Sequence, residues 1–273
     1  MDIKIIKSEL KLGAISPFKL LHVTDSHIAL DDPGQSFGRF EIFPDAERFF
    51  EQTAEYAKTN NIPILHTGDF IDFTSGANLE YIDKHLAPLD YMYAAGNHDF
   101  CHRVGFARED KQYKLDQMKL TAPHIRCNLH FDSRVINGVN IVTLDNSYYL
   151  MTEGQIDLLR AEAAKGLPII LAMHNPLYTK EYADIILGEG NKCSYLCGAP
   201  EEYTSKYPED RRLQQTPDEA TLKAIDYILS ELLIKAVIVG HTHRNYECLL
   251  PNGVPQITTA GGYSGFAREI TII

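Results

Sequence analysis

Ile62-Pro63-Ile64-Leu65-His66-Thr67-Gly68-Asp69-Phe70-Ile71-Asp72 is the stretch whose reading decides the fold. The apolar run 62–65 reads as a short buried strand. It stops before Gly68, a carboxylate follows at once, and a second comes three residues later at Asp72. Carboxylates at the carboxyl end of a buried strand stand where open α/β sheets keep their ligands. Taken alone, Gly-Asp is most often a turn, because both residues favour turns. The pair gains meaning only if other strands end in the same way.

Four others do. Residues 18–24 form a strand candidate that ends in Asp25-Ser26-His27. Residues 91–95 run into Gly96-Asn97-His98-Asp99, 167–173 into His174-Asn175, and 235–240 into His241-Thr242-His243. Helical spacing occupies 45–58 (Ala46, Phe49, Phe50, Ala54 and Ala57, with Asp45 as N-cap), 75–86 and 108–119. Thr152-Glu153-Gly154-Gln155 is a capping box that opens a helix to about 165, and 217–233 is an amphipathic helix with Pro217 at its start. Asn137-Gly138 and Asn252-Gly253 mark hairpin turns. Strands alternate with helices early and hairpins come late. That order predicts an α/β fold, a mixed-sheet β-sandwich flanked by helices, in a single domain spanning 1–273.

The chain has 273 residues, ample for a sizeable core. Its formal net charge of −11 argues against a nucleic-acid or anionic-membrane partner, which would need a basic face. It does not argue against a phosphate substrate, because metal ions can supply the positive charge. No stretch approaches the length of a membrane span, and the N-terminal residues have no signal-peptide h-region. Five cysteines in a chain of this size do not suggest a disulfide framework, so a reducing cytoplasm is expected. Cys193 and Cys197 alone do not make a four-ligand zinc site.

Five of the eleven histidines fall directly after the strands: His27, His98, His174, His241 and His243. Each taken singly has an ordinary reading as a hydrogen-bonded core residue or a turn. Five independent ordinary readings are harder to sustain than one shared site. Two His and one Asp suit one divalent ion; Asn97, two His and a shared Asp suit another. Imidazole and carboxylate without thiolate favour Zn, Mn, Fe or Ni. If 241–243 is extended, His241 and His243 point to one side and reach the same metal pair. The same holds for Asp25 and His27.

In order, Asp25-x-His27, Gly68-Asp69-x-x-Asp72, Gly96-Asn97-His98-Asp99, His174 and Gly240-His241-x-His243 resemble the calcineurin-like metallophosphoesterases. Leu144-Asp145-Asn146-Ser147 followed by Glu153-Gly154-Gln155 is similar to a further segment of that family. The resemblance implies a four-layer fold with a dinuclear site at one rim. It implies that Asp25, His27 and His243 bind the first metal, that Asn97, His174 and His241 bind the second, and that Asp69 bridges both. It places His98 beside the metals as general acid, with Asp72 orienting its ring.

The chemistry so implied is attack on phosphorus by a metal-bridging hydroxide, with His98 protonating the leaving oxygen. The expected partner is a small phosphate ester, a phosphodiester or phosphomonoester. Phe73-Thr74 replaces the Arg-Gly of protein phosphatases, and the motifs look more like the phosphodiesterase and nuclease branches. A nuclease would need a basic groove, and a non-catalytic scaffold of the same fold would lack ligands. Residues 175–216 are too long for an ordinary loop and hold five of the fifteen tyrosines. They read either as a cap over the metals or as a surface excursion packed by its own aromatics. Arg39, Arg103 and Arg108 follow metal motifs and read either as phosphate contacts or as solvated charges.

Overall fold

A computed structural model describes residues 2–102 and 111–273. Two sheets lie face to face. The first is built from β1 (Lys4–Leu10), β2 (Phe18–Val23), β3 (Ile64–His66), β4 (Tyr91–Tyr93) and the last strand, β11 (Phe266–Ile272). Its order is β1-β11-β2-β3-β4. The second holds β5 (Phe131–Ile136), β6 (Val139–Leu144), β7 (Ile169–Ala172), β8 (Ile234–Val239), β9 (Tyr246–Leu249) and β10 (Pro255–Thr258), ordered β5-β6-β7-β8-β10-β9. Both sheets mix parallel and antiparallel pairs, as the sequence predicts.

Between the sheets lies an aliphatic layer that includes Leu20, Leu65, Ile141, Ile170, Ile238 and Ile270. The outer face of the first sheet is covered by α1 (Ala46–Asn60), α2 (Gly76–Tyr81) and α3 (Lys111–Thr121). The outer face of the second is covered by α4 (Glu153–Ala163) and α8 (Glu219–Ser230). Helix α1 buries Ala46, Phe49, Phe50, Thr53, Ala54 and Ala57, a single stripe at helical spacing. Among the described residues, no helix is long and apolar enough to cross a membrane.

Local signals hold in most places. Thr152 and Gln155 cap α4 reciprocally. Asn137 and Gly138 both adopt positive φ, which the tight β5–β6 hairpin requires. Three differ. Asp45 precedes α1, but its carboxylate takes Arg48 rather than a backbone N–H. The predicted helix at 75–86 is α2 followed by a wider π turn over Ile82–Leu86. The late helix does not start on Pro217: Asp218 caps it, and α8 runs Glu219–Ser230. Arg103, Arg108 and the start of the helix expected at 108–119 lie outside the described residues.

The segment 175–216 is not irregular. It forms α5 (Lys180–Gly188), α6 (Glu201–Thr204) and α7 (Glu209–Gln215). Tyr182, Ile186, Leu196, Tyr203 and Tyr207 pack it into a cluster of its own. Cys193 and Cys197 are buried there as free thiols.

Candidate metal centre

Loops from the carboxyl ends of β2, β3, β4, β7 and β8 meet at one rim. They bring together the predicted groups. His27 Nε2 and His243 Nε2 stand 3.1 Å apart, and Asp25 Oδ1 is 3.2 Å from His243 Nε2 and 3.9 Å from His27 Nε2. Beside them, His174 Nε2 lies 3.1 Å from His241 Nδ1 and 3.2 Å from Asp69 Oδ2. That same Asp69 oxygen is 3.9 Å from His27 Nε2, so it faces both groups. Ligand atoms about 2.1 Å from one ion are separated by about 3.0–3.4 Å, so these spacings suit the edges of coordination polyhedra.

Each group holds one atom outward and offers one inward. Thr24 Oγ1 and the His241 N–H donate to Asp25 Oδ2 at 2.6 and 2.9 Å, while Asp25 Oδ1 has no hydrogen-bond partner. The His98 N–H donates to Asp69 Oδ1 at 2.7 Å, leaving Oδ2 to the histidines. Asn97 Oδ1 is likewise buried without a hydrogen-bond partner. His27 Nδ1 donates to Asp72 Oδ1 at 2.9 Å, and His174 Nδ1 donates to the Thr67 carbonyl at 2.6 Å. His241 Nε2 pairs with the Tyr149 hydroxyl at 2.6 Å, and His243 Nδ1 with that of Tyr263 at 3.4 Å. Metal-ligating histidines show this outer engagement, which fixes ring and tautomer. Two unpaired buried oxygens are costly unless a cation satisfies them. The donor set therefore fits two metal ions.

The backbone gets there by a route the sequence does not reveal. Asp25, His27, Asp69, His241 and His243 all adopt left-handed φ, between 47° and 67°. The expected extended alternation at 25–27 and 241–243 is thus wrong: local turns, not strand pleating, aim these side chains. Non-glycine residues in this region carry strain, which clusters at functional sites. The adjoining glycines admit no side chain. A Cβ on Gly240 would strike Thr24 and Asp25, and one on Gly68 would meet the Gly96 backbone and stand 2.7 Å from His174 Nδ1.

Asp72 has more partners than the sequence predicts. His98 Nδ1 donates to the Asp72 carbonyl at 2.8 Å and lies 3.2 Å from its Oδ1. The same Oδ1 serves His27, so the expectation that Asp72 orients His98 is incomplete. Arg39 is not a solvated charge: its Nε and Nη2 donate to Asp72 at 2.6 and 2.9 Å. Asp99, quoted in the motif but given no role, binds the loops together. Its carboxylate accepts the N–H groups of Asp69, Phe70 and Gly96 at 3.0, 3.0 and 2.8 Å. The similarity around Asp145-Asn146 also gains a reason, since Asn146 Oδ1 accepts the N–H groups of His174 and Asn175. Asn146 belongs to a motif that sequence reasoning could quote; Tyr149 and Tyr263 carry no local signal.

Burial opposes the charge on Asp69, but His174, His98 and His27 outweigh it and hold the carboxyl well below its ordinary range. Burial likewise opposes Asp25, and His243 prevails. Burial pushes His27 and His241 down, so these rings are neutral and ready to ligate. Burial would also lower His98, but Asp69 and Asp72 raise it to about 10. Burial would lower His174 as well, but Asp69 raises it to about 9. Burial and Asp69 push Asp99 up to about 7, against the N–H groups that it accepts.

The rim opens on a cleft of about 750 Å³. Asp69, Asn97, His98, Tyr149, His241 and His243 form its floor. Ile186, Asn191, Tyr195, Arg211, Leu213 and Gln214, all from 175–216, line it as well. That segment is tied to the 241–244 loop. Tyr182 bonds Thr242, and Arg244 binds Glu189 through both terminal nitrogens at 2.9 and 2.7 Å.

The sequence model of the calcineurin-like phosphoesterases matches residues 18–245. No curated protein sequence is matched. Among solved structures, a dimetal phosphatase from Danio rerio is similar at a TM-score of 0.51 and 14% identity, over 91% of this chain and 89% of that one. A protein from Thermus thermophilus is similar at a TM-score of 0.48 and 12% identity, over 92% of each chain. At such identity the first likeness bears on the fold alone.

Proposed function

The chain belongs to the calcineurin-like phosphoesterase family, and from that premise we propose that it hydrolyses a small phosphate ester with two metal ions held at the rim. One observation carries the proposal. Four histidines each turn one nitrogen inward and engage the other outside, around an Asp69 oxygen that faces both groups. Asp25, His27 and His243 would hold one ion, and Asn97, His174 and His241 the other, with Asp69 shared. Imidazole with carboxylate and no thiolate favours Mn, Fe, Zn or Ni. When bound, such a pair lowers the pKa of a shared water to about 7 and offsets charge developing on the phosphoryl group.

The protein groups supply the rest. His98 has its Nδ1 held by Asp72, which leaves Nε2 to meet a leaving oxygen in the cleft. Asp69 and Asp72 favour the charged form of the ring, which would donate its proton as the P–O bond breaks. Residues 175–216 act as a cap, because they wall the cleft above the metal groups and choose what enters. A phosphodiester or a phosphomonoester both suit a cleft of this kind, and the net charge of −11 disfavours nucleic acid.

The test is hydrolysis of an aryl phosphate ester by protein reconstituted with Mn²⁺. Asp69→Asn should lose metal-dependent turnover, and His98→Ala should lower it by about 10²–10⁴-fold. Unchanged turnover in both variants would sink the mechanism.

A further inference from the structure

We infer that Arg39 is a positioning residue: it fixes the Asp72 carboxylate so that one oxygen aims both the His27 ring and the His98 ring. The inference rests on the phosphoesterase reading of the same site, and goes beyond it by giving a loop arginine a role in the chemistry.

Asp72 is fully buried, and its Oδ1 is shared. It accepts His27 Nδ1 at 2.9 Å and Arg39 Nη2 at 2.9 Å, and His98 Nδ1 lies 3.2 Å away. Oδ2 accepts Arg39 Nε at 2.6 Å. A guanidinium bound through two nitrogens holds both carboxylate oxygens in one plane. Without that fork the carboxylate is free to turn about its last bond, and Oδ1 no longer meets both rings. The two rings do different work. His27 Nε2 belongs to the first ligand group, and His98 lines the cleft. One carboxylate therefore sets a ligand and a proton donor together, and Arg39 sets the carboxylate.

The loop that carries Arg39 is shaped for this. Phe43 stacks on the His27 ring at 4.7 Å and 10°, and the Arg39 guanidinium lies over the Phe43 ring at 5.3 Å. The loop thus grips His27 on its face through Phe43 and at its edge through Asp72. Arg39 is 22% exposed and is not among the described residues that line the cleft, so it stands behind the site rather than in the path of substrate.

The experiment compares Arg39→Ala, Arg39→Lys and wild type, all full length and reconstituted with Mn²⁺, on p-nitrophenyl phosphate and phenyl phosphate. The second ester has the poorer leaving group and depends more on the proton from His98. Arg39→Ala should lower kcat on phenyl phosphate by about tenfold more than on p-nitrophenyl phosphate, with KM little changed. Arg39→Lys, a point charge without the fork, should recover only part of the loss. A rise in KM equal for both esters, with kcat kept, would make Arg39 a phosphate-binding residue and overturn the inference. NMR of the Zn²⁺-loaded protein gives a readout independent of turnover. The Nδ1 protons of His27 and His98 should be slowly exchanging downfield signals in wild type and should be lost or exchange fast in Arg39→Ala. Unchanged signals would overturn the role of Arg39 whatever the activity. A wild-type protein that cleaves neither ester, nor the diester bis(p-nitrophenyl) phosphate, would overturn the phosphoesterase reading while the NMR comparison still decides Arg39. If the alanine variant does not fold, Arg39→Gln, which keeps the length and one donor, takes its place in both measurements.

Discussion

Replacing Asp99 with alanine should destabilise the protein by about 3 kcal/mol or more and weaken its grip on metal. Asp99 is 1% exposed, and it accepts three backbone N–H groups from two different loops. A buried donor left without a partner costs about 1–3 kcal/mol, so three at the low end come to about 3 kcal/mol. That is a large share of the roughly 5–15 kcal/mol that holds a domain folded. Asp99→Asn keeps one acceptor oxygen and should fall between the two. The assay is urea unfolding in EDTA followed by circular dichroism. At an m-value of about 3 kcal/mol per molar, the midpoint should drop by about 1 M with m unchanged. Competition with a chromophoric chelator then reads Zn²⁺ affinity, which should fall because the Asp69 loop is no longer tied to the Asn97 loop. An alanine variant within about 0.5 kcal/mol of wild type, with equal Zn²⁺ affinity, would refute the reasoning.

Three further outcomes are expected. Tyr149→Phe removes the hydroxyl on His241 Nε2 and should lower metal affinity about 10–100-fold, read by the same chelator competition; equal affinity would remove Tyr149 from the site. The metal-free protein should lose stability as pH rises, because the folded-state pKa of His98 is raised from 6.5 to about 10. The contribution of that imidazolium is fully present below pH 6.5 and is lost as pH rises through about 10. The gap in Tm between wild type and His98→Gln in EDTA should therefore shrink across that window, and a constant gap would exclude it. Bound cations push the same imidazolium down, so activity should fall at a lower pH than 10.

The parts of the fold written in local chemistry were legible. The hairpin at Asn137-Gly138, the capping box at Thr152 and the apolar runs of β2, β3, β7 and β8 each state their structure within a few residues. The strand β1 was not, because its pattern of half-buried residues is too weak to stand out. Its place beside β11 is set by pairing with the far end of the chain. The site follows the same division. The candidate ligands sit at strand ends beside Gly and Asp, and their types and order single them out. What aims them is non-local. Tyr149 reaches His241 across 92 positions of sequence, and Tyr263 reaches His243 from another loop. Arg39 lies in a loop with no regular pattern, 33 positions from the carboxylate it holds. The left-handed turns at 25–27 and 241–243 were misjudged because sequence alternation gives no sign of φ in Asp or His.

The placement of β11 bears on when the site can come into being. Asp25 and His27 hang from the end of β2, and β2 has β3 on one side and β11 on the other. The turn before β11 also clasps this end: the Gly262 N–H donates to the Thr24 carbonyl at 2.7 Å, and the Tyr263 N–H to that of Asp25 at 3.2 Å. A chain emerging from the ribosome delivers β11 after every other strand described here. Until then β2 is an open edge, and Asp25 and His27 lack their clasp. The Asp69, His174 and His241 cluster has its residues by position 241, while the Asp25, His27 and His243 cluster waits for the final turn. The Asp25, His27 and His243 group therefore depends on a turn that lies beyond it in the chain, which the Asp69, His174 and His241 group does not.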